Sequence, residues 1–535
     1  MKHNNHACVG LLVAATCCLL ASGCNAPGPG TRRDREELFR YIVDKTMVRT
    51  AWSPYTPGRP EQNFTTEAEK LLPEFLDADT DGKLFLALVK LSNLRHDRHL
   101  SIELVDGGIR PAQSELQAPV RFRTDYGTPG RYTLFVADYG EAMGTPTETA
   151  RPRVGDELVS VNGIPVDRYA SMMEPYIRYS TQNKLWWEIA AAISQKSWEF
   201  GPELYGPGDS VSYGLRRGNG TEYALGVPFV EPGQIAWSGT SAKHYRGFVR
   251  LLETPTFDLH RPEQDGPPRV LLLDWKRFER SLPADVDRLM AYASEHGLLD
   301  CGVIFDGTTS GGGSRGAYAL ARLVVRPFKT TFGNLRISDI TEAFIDDVRR
   351  ERAHGGVGEA GDGGRRLLEW LENDVMRAVR ESKPYSPDVP FKLAELPKDS
   401  DGIMQPAPVH FRGGLVCIFG PHGGSHLDQF AAMVIDNDLG HTIGLPAGGH
   451  SNTWEWTETL RFARTGAAVA SCMWNIGHTL RPTGEILEGN PALPREIVPV
   501  TRENFSNYYD DVLRRALAYF EGPRGRSGAS RGCTR

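Results

Sequence analysis

Two segments in the second half of the chain run from an apolar strand through a glycine-rich turn into a helix. Residues 303–305 (Val-Ile-Phe) precede Gly311-Gly-Gly313, and residues 415–419 (Leu-Val-Cys-Ile-Phe) precede the turn at 420–425. Strands that are apolar at every position are buried on both faces, which requires helices on both sides of a mainly parallel sheet. The repetition predicts an α/β core whose turns expose backbone N–H groups at the carboxyl edge of the sheet, where they favour negative charge.

The rest of the chain adds two regions of different character to this core. Amphipathic spacing predicts helices at 34–51 and 67–94, and short strands follow one another between about 118 and 229. Within the core, further helices are predicted at 283–296, 317–325, 426–436 and 503–520. We therefore predict a multidomain α/β protein with a helical N-terminal region, a small β-rich domain and a mainly parallel-sheet core.

The first 23 residues have the composition of a targeting signal. Lys2 and His3 precede an apolar run from Val9 to Ala21, which is too short to cross a bilayer as a helix. The run ends in Leu-Ala-Ser-Gly before Cys24 and resembles a bacterial lipobox, in which the cysteine becomes the lipidated N-terminus. An ordinary secretory signal, with Cys24 incidental, is the alternative.

This resemblance implies a lipoprotein signal over 1–23, a lipid on Cys24 and a Pro/Gly-rich tether over 24–33. The body would then lie outside the cytoplasm in the bacterial cell envelope, on the periplasmic side in a diderm cell. The lipid would attach it to the membrane.

Charge and cysteine content exclude several classes of protein. Lys and Arg total 61 against 67 Asp and Glu, a formal net charge of −6, so no broad basic excess indicates nucleic-acid binding. Half of the eight cysteines lie in the first 24 residues, and the others stand singly. This distribution argues against a zinc ribbon and against a disulfide-stabilised scaffold.

A turn, a strand and a hairpin at 153–166 form the most specific pattern in the first half of the chain. The turn at Gly155-Asp156 leads into an alternating strand, and Asn162-Gly163 is a strong signal for a tight hairpin. The segment resembles the PDZ domain, which captures an extended peptide, often a C-terminus, along a sheet edge. A small β-domain that merely contains an Asn-Gly hairpin is the alternative.

Ser425 lies at the second glycine-rich turn, where a helix is predicted to begin. Serine is a preferred helix cap, so the position by itself is best explained as an N-cap. The surrounding residues do not form the G-x-S-x-G nucleophile motif, because Leu427 replaces the second glycine. The first glycine-rich turn is not a Walker loop, since it contains no Gly-Lys-Ser/Thr.

The order of these parts and three core motifs resemble the C-terminal processing peptidases, the family of the tail-specific proteases and the tricorn protease core. The motifs lie at 303–313, at 424–428 (Gly-Ser-His-Leu-Asp) and at 482–494. The resemblance implies a serine peptidase that cleaves polypeptides near C-terminal tails and needs no cofactor. It specifies no oligomeric state. The implied divisions are a helical region (34–117), a PDZ-like domain (118–230), a peptidase core (231–522) and a flexible basic tail (523–535).

The resemblance also implies a nucleophile and a general base. One branch of the family pairs its serine with a lysine, but the matching residues 446–450 (Pro-Ala-Gly-Gly-His) contain none. The tricorn-like branch uses a histidine in an Asp-x-His segment before the PDZ domain, which matches Asp97-Arg98-His99. Ser425 is therefore expected to be the nucleophile, with His99 as the base that accepts its proton.

In that branch a glutamate helps to orient the base through another polar group. Glu488 is the best-placed candidate for this role, and Glu485 is a competitor. Acyl transfer also needs donors aimed at the tetrahedral oxyanion. The backbone N–H of His426 and one from Gly312 or Gly313 are expected to supply them.

Departures from the family pattern leave alternatives open. Residues 305–307 (Phe-Asp-Gly) lack the usual Leu-Arg and Asn, and Asp428 replaces a glutamate. His426 replaces a small residue, so its ring would narrow the site or supply an alternative base. One alternative is an inactive relative that binds peptides as a lipoprotein. Another is a metal-dependent hydrolase whose histidines match no zinc signature: His410, His422, His426, His441 and His450.

Overall fold

A computed structural model describes residues 28–142, 151–206, 208–239, 243, 245–264, 266–353, 362–390, 401–452 and 454–522. The predicted signal, Cys24 and the basic tail lie outside these residues. The chain is an α/β protein with several sheets, one of them mainly parallel, which confirms the predicted fold class. Within these ranges, no helix combines the length and the apolar character that crossing a membrane requires.

Helices α1 (Arg32–Arg49), α2 (Pro60–Leu76) and α3 (Asp81–Asn93), followed by the short strand β1 (Ile102–Glu103), form the N-terminal region. The helix predicted at 67–94 is divided between α2 and α3, because Thr80 accepts the N–H of Lys83 and begins a new helix. The apolar faces of the three helices share a hydrophobic core with Trp474 from the far end of the chain.

Residues 115–237 fold around a seven-stranded sheet and have a hydrophobic core of their own. In chain order the strands are β2 (Glu115–Gln117), β3 (Val120–Thr128), β4 (Arg131–Ala142), β5 (Glu157–Val161), β6 (Ile164–Pro165), β7 (Gln195–Ser197), β8 (Ser210–Arg216), β9 (Glu222–Pro228) and β10 (Ile235–Trp237). β2 and β7 pair separately from the larger sheet. Helices α4 (Val166–Met173) and α5 (Gln182–Ala192) lie between β6 and β7. The predicted hairpin is present, since Asn162 and Gly163 both have positive φ and join β5 to β6.

The second half of the chain contains the remaining strands and helices. The strands are β11 (Phe248–Glu253), β12 (Phe257–Pro262), β13 (Val270–Trp275), β14 (Gly302–Asp306), β15 (Phe328–Lys329), β16 (Phe332–Leu335), β17 (Val389–Pro390), β18 (Ile403–Met404), β19 (Leu415–Phe419), β20 (His441–Gly444), β21 (Glu455–Arg461), β22 (Ala468–Asn475), β23 (Gly477–Leu480) and β24 (Glu496–Ile497). The helices are α6 (Leu282–Glu295), α7 (Gly316–Leu320), α8 (Thr341–Ala353), α9 (Asp362–Trp370), α10 (Met376–Arg380), α11 (His426–Asp436) and α12 (Tyr508–Glu521).

The central sheet has the strand order β11-β12-β13-β14-β19-β20-β24. Neighbouring strands are parallel from β13 to β24, and β11 and β12 are added antiparallel at one edge. Leu271 and Val303 face the core under α6, α7 and α11, whereas Leu272 and Ile304 face the core under α12. The apolar strands are thus covered on both faces, as their sequences predict.

Helix α11 has the predicted bounds, but two other helices are shorter than predicted. α7 ends at Leu320, because the carbonyl of Ala321 accepts the N–H of Ala407 from another segment and the chain turns away. α12 begins later than predicted, because Thr501 and Asn504 first hydrogen-bond each other in a turn. Neither change moves the turns at the carboxyl edge of the sheet.

Candidate active site

Ser425 has a strained backbone at the junction between the turn after β19 and helix α11. Its φ of 58° and ψ of −121° lie outside the regions that side-chain-bearing residues usually adopt. Ser425 occupies the N-cap position of α11, as predicted, but its side chain makes no capping hydrogen bond, so capping does not explain the choice of serine here. A sharp, strained strand-to-helix turn is the geometry of a nucleophile elbow. Here it forms with a buried Leu427 in place of the second glycine.

Gly312 lies directly against the side chain of Ser425. A Cβ at Gly312 would be 2.6 Å from Ser425 Cβ and 3.0 Å from its Oγ, so a larger residue would displace the serine. Gly313 has a φ of 134°, and a Cβ there would overlap the carbonyl of Phe278. Across the described chain, the N–H groups of Gly312 and Gly313 donate no hydrogen bond to another residue. The segment therefore presents backbone donors beside the Ser425 hydroxyl.

His426 is the first residue of α11, so its backbone N–H lies at the helix N-terminus next to Ser425. Its buried ring points elsewhere: Nε2 accepts a 2.6 Å hydrogen bond from the N–H of Gly316, and the ring packs edge-on against Phe278. Because that nitrogen already accepts a backbone N–H, it is not placed to take a proton from Ser425. The ring joins α11 to α7, and a role of His426 as an alternative base stays a prediction.

His99 lies in the loop between α3 and β1, next to Asp97. Asp97 Oδ1 accepts the backbone N–H of His99 at 3.0 Å and lies 3.9 Å from its Nδ1. Burial disfavours the imidazolium, and Arg98 and Arg178 repel it, so the pKa of His99 is lowered to about 3. The ring is therefore neutral at pH 7, which is the state that a general base requires.

Glu488 is buried beside the same imidazole. One ligand-type atom from each of Asp97, His99 and Glu488 lies within 4.8 Å of the other two. Glu488 Oε2 accepts the backbone N–H groups of Ser451 at 2.6 Å and Asn452 at 3.0 Å. Burial and the charge of Asp97 raise the pKa of Glu488 well above its usual range. His99 thus has two buried carboxyl groups beside it, one of them the predicted glutamate.

The competing glutamate lies outside this cluster. The side chain of Glu485 is 51% exposed and 3.9 Å from Arg481, whereas Glu488 is 1% exposed. The group of carboxyl and imidazole atoms at His99 contains Glu488 and not Glu485. The geometry therefore supports Glu488 over Glu485 as the carboxyl group beside His99.

The loop after β20 joins Ser425 to the base and the carboxyl groups. The N–H of Ser425 donates to the carbonyl of His450 at 2.6 Å, and Ser451 Oγ donates to the carbonyl of Ser425 at 3.3 Å. The ring of His450 lies 5.2 Å from that of His99, centroid to centroid. Because Ser451 also donates to Glu488, this one loop contacts Ser425, His99 and Glu488.

Asp428 holds this loop in place. Its buried Oδ1 and Oδ2 accept the backbone N–H groups of Gly449 and His450 at 3.0 and 3.1 Å. Burial raises the pKa of Asp428 to about 7, against the effect of these hydrogen bonds. The aspartate that replaces the usual glutamate therefore positions the His450 carbonyl for Ser425.

Helix α5 brings the β-rich region of the chain to the same site. Thr181 Oγ1 donates to the carbonyl of Gly448 at 3.0 Å, and Lys184 Nζ donates to the carbonyl of His422 at 2.5 Å. Burial lowers the pKa of Lys184 to about 8. The region at 115–237 thus contacts both the turn before Ser425 and the loop that carries His450.

The five histidines of the metal-dependent alternative lie apart and have different partners. These are Ala407 for His410, Trp187 for His422, Gly316 for His426, Glu496 for His441 and His99 for His450. Among the described residues, the groups with metal-ligand geometry are Asp97-His99-Glu488 and Asp258-His260-Asp274. Neither group contains any of the five, so the geometry does not support that alternative.

Sequence analysis assigned no role in peptide hydrolysis to several residues that contact this site: Asp97, His450, Ser451 and Asn452. Asp97 was visible in the Asp-x-His segment, and its spacing from His99 was a usable signal. Residues 450–452 follow the run in which the family's lysine is missing, but nothing in their types indicates that they contact Glu488. That contact depends on the loop folding back over α11.

No family model matches this chain, and no curated protein matches it by sequence. Among solved structures it resembles mature CPAF complexed with lactacystin and mature CPAF, each with a TM-score of 0.65 and 15% identity. The alignments cover 91% of this chain and 98% and 97% of those chains. A weaker likeness, with a TM-score of 0.39 and 13% identity over 87% of this chain and 93% of that one, is to the photosystem II D1 C-terminal processing protease. The chain therefore shares the fold of CPAF over nearly its whole length.

Proposed function

We propose that this chain is a serine-type peptidase that hydrolyses polypeptides through an acyl-enzyme at Ser425. Ser425 Oγ attacks the peptide carbonyl while His99 Nε2 takes its proton, and the carbonyl oxygen becomes an oxyanion. The C–N bond then breaks, and His99 gives the proton to the leaving amine. A water molecule hydrolyses the ester by the same route, which releases the new carboxyl end and restores Ser425.

One observation carries this proposal: residues from distant parts of the chain converge on the loop that holds one strained serine. Ser425 stands on an elbow, and the loop that accepts its N–H also contacts the neutral ring of His99. Two buried carboxyl groups lie beside that ring. A serine on a strained turn with a neutral imidazole nearby is the arrangement that activates a hydroxyl nucleophile. A peptide-binding relative that had lost catalysis would have no need of the strain.

Backbone donors supply the proposed oxyanion site. Gly312 lies against Ser425, and His426 places its N–H at the start of α11. Donors fixed in advance stabilise developing negative charge more than mobile ones, because they need no reorganisation during the reaction. We assign the Gly312 and His426 N–H groups to this role, with Gly313 holding the required backbone conformation.

The β-rich region is proposed to present the substrate. A PDZ-like sheet adds an extended peptide along an edge, and α5 connects this sheet to both loops of the site through Thr181 and Lys184. Such a module would favour polypeptides with an accessible C-terminal tail. A peptide with a free C-terminal carboxylate should therefore bind more tightly than the same peptide with a C-terminal amide, as measured by fluorescence anisotropy on Ser425→Ala.

The N-terminus is proposed to anchor the protein in the cell envelope. The support is the signal-like run at 1–23 and the small residues before Cys24. We expect the wild-type chain to fractionate with membranes and Cys24→Ser to lose its lipid. Mass spectrometry of the mature N-terminus decides the matter, since an unmodified cysteine would indicate an ordinary secretory signal.

The central experiment compares the wild-type chain with Ser425→Ala on an unstructured polypeptide such as casein. We expect hydrolysis to fall by about a thousandfold or more, with unchanged folding by circular dichroism. A fluorophosphonate should label the wild-type chain at Ser425 and leave Ser425→Ala unlabelled. Full residual activity in the variant would overturn the proposal, and peptide binding without labelling would favour the inactive relative.

A further inference from the structure

Asp97 and Glu488 form a buried pair of carboxyl groups, 7% and 1% exposed. Burial raises the pKa of Asp97, although the charges of Arg95 and Arg178 act to lower it. The hydrogen bonds to the pair come from uncharged donors: the backbone N–H groups of His99, Ser451 and Asn452, the amide of Asn452 and the side chain of Ser180. Over the described ranges, neither makes an ion pair with Lys or Arg. Two buried like charges are unfavourable unless a proton or a bound cation compensates them.

His99 adds a nitrogen to this pair. Its Nδ1 is buried, makes no hydrogen bond within the described part of the chain and lies 3.9 Å from Asp97 Oδ1. Glu488 Oε1 is likewise buried and makes no hydrogen bond of regular geometry to a described residue, although the Ser180 side chain lies close to this carboxyl group. One ligand atom from each of the three side chains lies within 4.8 Å of the others. Buried acceptors that face one another at such distances are suited to a metal cation.

The donor set is the one that zinc prefers. Zn²⁺ binds imidazole nitrogen and carboxylate oxygen at about 2.0–2.2 Å, often with three protein ligands and a fourth, open position. Ligand atoms around such an ion are about 3.4 Å apart, so the three side chains need to approach by about 1 Å. Two carboxylates also match the charge of a divalent ion, which removes their repulsion.

We propose that Asp97, His99 and Glu488 bind a divalent transition-metal ion, with Zn²⁺ the best match, and that the bound ion inhibits the peptidase. The inhibitory part rests on the proposed function, whereas the binding part stands on the geometry alone. The site differs from the metal-dependent alternative, because the ion would block hydrolysis instead of activating water.

Inhibition follows from the chemistry of the imidazole ring. A metal at Nδ1 takes the lone pair of that nitrogen, so the single proton of the neutral ring must lie on Nε2. Nε2 is the nitrogen that accepts the Ser425 proton in the proposed mechanism. With the ion bound, His99 has no lone pair left for the serine, and the nucleophile is not activated.

A second cluster provides a matched control. One ligand atom from each of Asp258, His260 and Asp274 also lies within 4.8 Å of the other two. Their carboxylates are already paired, Asp258 with Lys276 at 2.7 Å and Asp274 with Lys243 at 2.8 Å. A divalent ion there would have to displace or repel two lysines. We therefore expect no zinc binding at this second cluster.

Binding is tested by calorimetric titration of the full chain carrying Ser425→Ala with ZnCl₂. We expect one site, at least about tenfold weaker after Asp97→Asn or Glu488→Gln and unchanged after Asp258→Asn. His99→Gln provides a further variant in case either carboxyl change disturbs folding, which melting curves report. The proposed metal site is overturned if Ser425→Ala binds no zinc. It is also overturned if each of the separate changes at Asp97, His99 and Glu488 leaves zinc binding unaffected.

Inhibition is tested on the wild-type chain with a fluorogenic polypeptide. Zn²⁺ should reduce hydrolysis at least tenfold, EDTA should restore it, and Asp258→Asn should respond like the wild type. Hydrolysis unaffected by zinc, despite binding in the titration, would overturn the inhibitory part. A wild-type chain that hydrolyses nothing would count against the proposed function alone, because the calorimetry decides the metal site independently.

Discussion

The N–H of Ser425 donates a 2.6 Å hydrogen bond to the carbonyl oxygen of His450. This bond connects the proposed nucleophile to the loop whose next residues, Ser451 and Asn452, donate to Glu488. The positions of Ser425 and His99 therefore depend on the same loop. Changes that move the loop should reduce catalysis even where the fold persists.

Removing the carboxylate of Asp428 should release that loop. Asp428→Ala leaves the buried N–H groups of Gly449 and His450 without acceptors, at about 1–3 kcal/mol each. We expect a loss of about 2–6 kcal/mol in unfolding free energy and a fall in kcat of at least tenfold. Urea unfolding and initial rates measure the two effects.

Asp436→Ala is the matched control on the same helix. Asp436 is buried and paired with Arg481, so its loss should also destabilise the chain by about 3–5 kcal/mol. It does not contact the loop at 448–452, and kcat of the folded fraction should stay near the wild-type value. Equal falls in kcat for both variants would show that lost stability, not loop position, explains the Asp428 result.

Adding one methyl group at Gly312 should inactivate the enzyme. The new Cβ would meet Ser425 Cβ at 2.6 Å and would shift either the serine or the proposed oxyanion donor. We expect Gly312→Ala to lower kcat by about 100-fold or more, the usual effect of losing such a donor. Gly311→Ala, whose Cβ would meet only the Lys276 carbonyl at 4.0 Å, should remain active. Full activity in Gly312→Ala would contradict the assignment.

Replacing Ser425 by glycine should abolish hydrolysis and leave the chain more stable than replacing it by alanine. The φ of 58° and ψ of −121° are strained for any residue with a Cβ, at a cost of about 1–3 kcal/mol. Glycine removes the strain but loses about 0.5–1 kcal/mol through its greater freedom in the unfolded chain. The unfolding free energy measured in urea should therefore be about 1 kcal/mol higher for Ser425→Gly than for Ser425→Ala. A lower value for Ser425→Gly would mean that the backbone at position 425 is not strained.

Hydrolysis should persist at pH values where an ordinary histidine is protonated. The pKa of His99 is lowered to about 3, so the base stays neutral as the pH falls through about 6.5, the ordinary value. His99 should contribute no acid limb centred near pH 6.5 to the kcat/KM profile, and any limb near pH 7 should come from Asp428, whose pKa is about 7, and disappear in Asp428→Asn. Circular dichroism at each pH confirms folding. Because the unfolded chain binds this proton below about pH 6.5 and the folded chain does not, His99 also lowers stability as the pH falls from 6.5 towards 3.

Much of the core was predictable because its signals are local. Helix α11 has the bounds predicted from its apolar spacing, and the strands at 303–305 and 415–419 are buried on both faces. The length of α7 was not predictable in the same way, since its end depends on a hydrogen bond from Ala407. Local periodicity carries no information about a donor that arrives from a distant segment.

The role of Ser425 likewise depends on more than its local sequence. Its neighbours predicted a helix cap, and only the order of motifs along the chain indicated a nucleophile. The structure gave the physical reason: packing of Gly312 and the His450 carbonyl around the serine holds a strained backbone that the G-x-S-x-G criterion did not detect.

The sequence by itself determined the α/β class, the parallel core, the hairpin at Asn162-Gly163 and the candidates Ser425, His99 and Glu488. Apolar periodicity, turn chemistry and motif order are properties of the chain and need no partner. Only the tertiary structure decided that Glu488 and not Glu485 lies beside His99, that the His426 ring joins α11 to Gly316, and that Asp97 and Glu488 share one buried site. These outcomes depend on burial and on contacts between segments hundreds of residues apart, which the folding of the whole chain creates.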